Sequence, residues 1–451
     1  MAKLENLPEA GEFPQLREIA DPEKLAQTLQ RHIALTLASD EVQVDACTMD
    51  QLRYNPGSDC RILFTADLRH DGTRGRQIFF GRLFPSPRAA EAFASLDRAN
   101  LAPPEFGPAV IHIPEWEMVV WAYPNDPNLP GLSLMVNDEK ILALAQAAPE
   151  KFGLSQPPAT VTAKMTKYVP GMRCGYIYQM RLASPDSPAD NRARAVYGKA
   201  YREKEGEKAY VIMKQIWESA ACRQGDLILP QPYSYDPETQ IIWQEALAGK
   251  PFAKIAETIP DLPAVAEEIG GRLAAFHGLH LDLPVEMTFD LQVEELRQSV
   301  LAISQAFPEH APRCAALAQK LLDAADKLGP GPLTPVHASF KFSHIFATAK
   351  GVAFIDFDGA NLGDPGYDLG RFIAHLYKME TSGKIAPEVA KQTVANFCAA
   401  YRRAAASPLR QQRIDWFAAS HLISSQMYKS VKRMDPRAMN KLLEFAERLC
   451  A

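Results

Sequence analysis

The sequence predicts an α+β chain in which two β-rich segments of like order precede a helical half, and three observations carry that prediction. A set of anchors between residues 54 and 121 recurs between 168 and 243. From 253 onward apolar residues fall at i, i+3 and i+4, the period of a helix with one buried face. One patch, 335–359, breaks that texture with strand-like alternation.

Taken in order, "PEKLAQTLQRHIALTLA" (22–38) has helical spacing behind Asp21 and Pro22, a cap and a first-turn proline. From about 42 to 123 come short β-rich runs, "CRILFTADL", "RQIFFGRLF" and "EMVVWAY", separated by Gly, Pro and Asp turn signals and interrupted by the helical "SPRAAEAFASLDRA". The same order then returns. Tyr54, Pro56, Gly57 and Cys60 reappear as Tyr168, Pro170, Gly171 and Cys174, all displaced by 114 residues. "FGRLF" (80–84) returns as "YGKAY" (197–201), displaced by 117, and Trp121 as Trp243, displaced by 122. Slowly growing displacements describe two copies with small loop insertions. Within the helical half, "PVHASFKFSHIFA" and "GVAFIDFDG" predict a hairpin around "TAKG".

Bulk properties narrow the function classes. With 451 residues, 47% of them hydrophobic, the chain is long enough for two or three cored domains. Its 54 acidic and 49 basic side chains nearly cancel, with no basic block, which argues against nucleic acid as a partner. No stretch reaches the apolar length of a membrane span and the start has no apolar leader core, so the expectation is a cytoplasmic protein without membrane contact. Seven scattered cysteines, none in a C-x-x-C pair, predict buried thiols rather than disulfides or a zinc site.

The run "VHASFKFSHIFATAKGVAFIDFDGANLGDPGYDLGRFIAHL", following a β-rich segment, resembles the aminoglycoside phosphotransferase and choline kinase group of the protein-kinase-like fold, over about residues 160–450. Its most specific part is "IDFDGANLGDPGYDLGRF", completed by His337 upstream. The resemblance implies a bilobal fold: a β-rich lobe over 156–250 for nucleotide, a helical lobe over 251–451 with the catalytic-loop and metal motifs, and a degenerate lobe-like repeat over 1–155 in front. It further implies ATP and Mg²⁺ as cofactors and a hydroxyl-bearing small molecule as acceptor.

Phosphoryl transfer requires held phosphates, neutralised charge and an oriented acceptor. The resemblance assigns Asp356 to Mg²⁺. His344 stands where the family has a second, asparagine ligand; imidazole suits Mg²⁺ poorly. Asp358, two residues from Asp356, would share its side if the strand continued. Ser339 stands in place of the catalytic aspartate and cannot act as its base near neutral pH. Lys341 resembles the lysine of the eukaryotic kinase loop, which stabilises the transferring phosphate, and alternation puts it on a face with Ser339. His337 is expected to order the loop. Lys199, a lysine among apolar strand neighbours, would grip the α- and β-phosphates, with Glu207 or Glu218 as partner. Gly171 lies in the turn expected to cover the phosphates, and main-chain groups of Glu245, Ala246 and Leu247 are expected at an adenine edge. Asp364 and Asp368 read as mainly structural, and His277 and His280 as surface or satisfied histidines. The leading expectation is an ATP-dependent small-molecule phosphotransferase; the rival, prompted by Ser339 and His344, is a pseudokinase that binds nucleotide or ligand and scaffolds a partner, with 1–155 as a surface for a protein.

Overall fold

The computed structural model describes residues 13–55, 59–85, 87–182, 193–407, 409–433 and 435–450. The first long helix is Pro22–Leu37. Asp21 caps it, its side chain accepting from the Glu23 and Lys24 amides at 3.0 and 3.3 Å. Leu25, Leu29 and Ile33 line its buried face.

Five strands follow: β1 Gln43–Asn55, β2 Asp59–His70, β3 Thr73–Leu83, β4 Val110–Ile113 and β5 Met118–Ala122, in the sheet order β1-β2-β3-β5-β4. Alternation along β2 sends Ile62, Phe64, Ala66 and Leu68 to the helix-covered side, where they join Leu25, Leu29 and Ile33 in one core. The next five strands are β6 Pro158–Val169, β7 Arg173–Leu182, β8 Ala193–Tyr201, β9 Pro232–Asp236 and β10 Ile241–Glu245, in the order β6-β7-β8-β10-β9. The two sheets therefore share one topology. They also share register: Cys60 faces Leu83 and Arg61 faces Arg82 across β2 and β3, while Cys174 faces Ala200 and Gly175 faces Lys199 across β7 and β8. The glycine before each cation recurs for a steric reason. A Cβ on Gly81 would stand 2.8 Å from Ile62, and one on Gly198 would stand 2.7 Å from the Trp243 ring. Both thiols at the shared cysteine position are buried, and burial pushes each up to about 12, so both act as small apolar side chains.

The chain divides into two compact units, one of Met1–Gly206, Tyr235–Trp243 and Lys432–Asp435, the other of Glu207–Ser234, Gln244–Val431 and Pro436–Ala451. Most of both sheets falls in the first unit. The second is built on the helices Leu262–His277, Phe289–Ala306, Ala311–Leu328, Gly366–Thr381, Pro387–Ala404, Gln411–His421 and Met439–Leu449. Leu262–His277 and Pro387–Ala404 pack closely because Gly270 has no side chain: a Cβ there would stand 2.4 Å from the Phe397 carbonyl oxygen. The α+β order, sheets before helices, is thus present.

The hairpin expected over 335–359 is shorter than alternation suggested. Only Ile345–Thr348 and Gly351–Phe354 pair with each other, with Gly249–Pro251 added at the edge. Thr334–Val336 pairs instead with Asn361–Gly363. Between them the chain leaves strand geometry at Ala338, whose φ is +59°, and makes a 3-10 turn at Phe342–His344.

Candidate active site

The loop 337–344 keeps the alternation of a strand without its ladder. Phe340 and Phe342 point into the core and are fully buried, while Ser339 and Lys341 are half-buried. Phe340 meets Phe354 edge-on at 4.9 Å between ring centres, and Phe342 stacks on Phe372 at 5.0 Å. Burying each ring stabilises this loop by roughly 1.5–3 kcal/mol. The main chain is fixed from the other side by Asp368, a fully buried carboxylate of the helix Gly366–Thr381. It accepts from the His337 amide at 2.6 Å and the Ala338 amide at 3.0 Å, and it meets His277 Nε2 at 3.1 Å. His277 Nδ1 in turn meets the Tyr401 hydroxyl at 2.9 Å. Asp368 therefore organises the loop, and His277 is the satisfied histidine of the two expected alternatives, buried and bonded at both ring nitrogens. Asp364 is tied to Arg413, Nε at 2.7 Å, and accepts from the Gly366 amide at 2.9 Å.

Ser339 sits at the centre of a side-chain chain that only the folded loop joins. Its Oγ lies 3.1 Å from His344 Nδ1 and 3.2 Å from His337 Nδ1. The far nitrogen of each imidazole is committed to an acceptor: His344 Nε2 to the Asp356 carboxylate at 3.1 Å, His337 Nε2 to the Ile355 carbonyl at 2.9 Å. Each Nε2 must then carry its ring's proton, so both Nδ1 atoms present lone pairs to one hydroxyl. A single serine proton satisfies only one of them. The cluster has room for one further proton beside the hydroxyl. The signal in the sequence was the pair Ser339 and His344, at the two positions where the resemblance leads one to expect an aspartate and an asparagine.

Asp356 itself has φ +70°, a left-handed conformation that costs most non-glycine residues about 1–2 kcal/mol and is tolerated best by Asp and Asn. Strand geometry ends at Phe354, and Asp358 lies in the 3-10 turn Phe357–Gly359, so the argument that alternation aligns Asp358 with Asp356 does not hold. His344 does not fit a metal, because both its nitrogens are engaged by Ser339 and Asp356. Asp356 fits as a single carboxylate ligand, the number Mg²⁺ commonly takes alongside phosphate and water. No group of three or more metal-ligating side chains occurs among the described residues.

Lys341 adds to a positive local field. Burial, then Lys429, Lys341, Lys378 and Arg371, push His375 down to about 3, so that ring stays neutral among four cations. It stacks on Phe342, one residue from Lys341. Developing negative charge is favoured in such surroundings.

In the first unit, Lys199 is 8% exposed and its Nζ lies 4.8 Å over the Tyr201 ring. Glu218 pairs with Lys214 at 3.9 Å and Glu207 is exposed. Gly171 has φ +68° in the turn between β6 and β7. Of the three connector residues, Glu245 already donates its amide to the Gln231 carbonyl at 2.8 Å, so that group is not available to an adenine edge.

The motif order of the helical half agrees with comparison against known families. Residues 216–407 match the phosphotransferase enzyme family, APH. That match covers the loop 337–344, Asp356 and Asp368, so all of the Ser339 cluster lies inside the family segment. No curated protein matches the chain. Among solved structures, a thermostable mutant of the aminoglycoside phosphotransferase APH(4)-Ia is 14% identical, with a TM-score of 0.46 over 64% of this chain and 94% of that one. A choline/ethanolamine kinase family protein from Mesorhizobium loti is 16% identical, with a TM-score of 0.40 over 60% of this chain and 84% of its own. The amicoumacin kinase hAmiN is 12% identical, with a TM-score of 0.43 over 63% and 87%.

Proposed function

We propose that the chain is an ATP-dependent phosphotransferase acting on a hydroxyl of a small molecule, with the Ser339–His344–Asp356 chain in place of the family's catalytic aspartate. The observation that carries this reading is the pair of imidazole lone pairs on Ser339 Oγ, at 3.1 and 3.2 Å. The family match of residues 216–407 supports the reaction class. The acceptor hydroxyl gives its proton to Ser339 Oγ as the serine passes its own to His344 Nδ1, while the oxygen of the acceptor bonds to the γ-phosphorus and ADP departs. Asp356 holds the Nε2–H of the imidazolium and stabilises its charge. Lys341 neutralises the transferring group, and His337 keeps the serine oriented. Mg²⁺ on Asp356 and the nucleotide would offset phosphate charge. The resemblance would further give Lys199 the α- and β-phosphates and Ala246 and Leu247 the adenine, whereas the Gly171 amide is already taken by Asp126.

The test is turnover. Sugars, aminoglycosides and amino alcohols are offered with ATP and Mg²⁺, and ADP is read by a coupled assay. His344→Ala is expected to lower kcat by 10²-fold or more, the scale of general-base loss, with little change in KM for ATP. Unchanged kcat would sink the relay. The second reading, a nucleotide-binding pseudokinase, is favoured by one observation, the uncharged Ser339 at the aspartate position. It predicts nucleotide binding without ADP formation in the parent, and turnover appearing only when Ser339→Asp is combined with His344→Asn.

A further inference from the structure

Arg53 and Arg61 face each other across β1 and β2, and Arg61 faces Arg82 across β2 and β3. Cross-strand partners share a face, so three guanidiniums leave one row of the first sheet on one side. A fully buried Asp59 answers them: its Oδ2 accepts from Arg61 Nε at 2.9 Å and stands 2.9 Å from Arg82 Nε, off the line of a hydrogen bond. One carboxylate therefore serves two arginines.

The second sheet brings one more. The turn at Gly171 is held against the first copy by Asp126, which accepts from the Gly171 amide at 2.7 Å and the Tyr168 hydroxyl at 2.8 Å. A Cβ on Gly171 would stand 2.9 Å from Arg61 Nη1, so the Arg61 guanidinium lies directly on that turn. Arg173 follows on β7, opposite Tyr201; Arg202, next along, donates its amide to the Met172 carbonyl at 3.2 Å while its guanidinium is paired with Glu205 at 2.8 Å, which takes it out of the cluster. Burial, then the charges of Arg61 and Arg173, with a smaller push from Arg202, hold Arg53 below its usual range against the opposing pull of Asp59.

We infer that Arg53, Arg61 and Arg173 form a binding site for a phosphate-class dianion beside the turn at Gly171. Guanidinium forks match phosphate oxygens two at a time, and each arginine keeps its charge at any working pH. Several converging forks suit a tetrahedral dianion better than a planar carboxylate, which one fork saturates. The site lies in the first unit and does not depend on phosphoryl transfer, so a pseudokinase would carry it as well.

The experiment is calorimetric titration of the full chain with pyrophosphate as the probe, repeated with inorganic phosphate. The parent is expected to bind, Arg53→Gln with Arg61→Gln to weaken binding about tenfold or more for each guanidinium lost, and Arg61→Lys to fall between. Arg403→Gln, which removes a cation paired with Glu267 in the other unit, controls for net charge and should leave the affinity unchanged. Should the double variant fold poorly, Arg53→Gln alone leaves the Arg61–Asp59 pair intact and carries the same test. Equal affinity in the arginine variants, or no binding by the parent, overturns the site. Displacement of pyrophosphate by AMP-PNP supports it and marks the phosphate as part of a nucleotide chain; simultaneous binding supports it and marks a separate phosphate ligand. Loss of nucleotide stabilisation on Asp356→Ala concerns the transferase alone, so the two readings fail separately.

Discussion

The two sheets repeat one topology and one register but use their shared face in opposite ways. In the first, the cation on the third strand, Arg82, lies beside a buried Asp59 that Arg61 also engages. In the second, the corresponding positions hold Lys199, Arg173 and Gly175. An acid in one sheet stands against a base in the other, and an arginine against a glycine. The first copy thus meets its own charge inside its fold, whereas the second has an arginine, Arg173, where the first has the carboxylate. The shared topology keeps the packing alike; the charge differs at two positions, Asp59 against Arg173 and Arg61 against Gly175.

Breaking the first copy's neutralisation should produce the largest effect. Asp59→Ala leaves Arg61 and Arg82 without their common buried partner, and removal of one member of a buried ion pair costs about 3–5 kcal/mol. Denaturant titration should show that loss in the unfolding of the two-sheet unit; a cost below about 1 kcal/mol would mean the pairing is incidental. Next in size is the contrast between the two cations. Lys199→Met is expected to abolish stabilisation by AMP-PNP with Mg²⁺, lowering affinity about 10²-fold, as loss of charge-assisted hydrogen bonds to phosphate does. Arg82→Met should change nucleotide affinity less than twofold. Equal losses in both would erase the functional distinction between the copies.

The structural difference between the sheets was partly legible beforehand. The repeat could be read because turn residues and tryptophans recur at nearly constant spacing, and Lys199 stood out because a lysine among apolar strand neighbours needs a reason. The helical half declared itself through its period and the GDPGYDLGRF run. What escaped reading were the contacts made by folding. Asp368 reaches back across 31 residues to the His337 amide, and the sequence offered only its family position. The Ser339–His344 contact needed the turn at 342–344, which alternation concealed, since Phe340 and Phe342 are buried in strand-like order without a strand. Asp126 had no local signal at all, because its partner Gly171 lies 45 residues away.

Asp126 supplies the third test. Its carboxylate takes hydrogen bonds from the amides of Gly171 and Asn128 and from the Tyr168 hydroxyl. Burial pushes the carboxyl up, against those three donors. Asp126→Ala removes an ion that burial disfavours but strands the donors, and the net expectation is a loss of about 1–3 kcal/mol. Hydrogen exchange should locate it: protection should fall across 168–176 and hold in β2 and β3. Uniform loss across both sheets would show that Asp126 supports the whole unit and not the turn.

The smallest effect asks whether the glycine at 175 is there for packing or for space. Arg61 occupies the matching position in the first copy, so the backbone there accepts a side chain. A Cβ on Gly175 would meet the Tyr197 hydroxyl at 2.1 Å and Thr166 Oγ1 at 3.0 Å. The nearer atom is the far end of a side chain that can rotate, and replacing a strand glycine lowers the entropy of the unfolded chain, so Gly175→Ala should change stability by less than about 1 kcal/mol. Gly175 and Lys199 are cross-strand partners, however, and the new methyl group and the displaced tyrosine would share the lysine's face. If that face receives phosphates, KM for ATP should rise several-fold while the melting temperature and kcat hardly move. A fall in stability with KM unchanged would assign the glycine to packing, and the second sheet would differ from the first in charge but not in the room it leaves for a ligand.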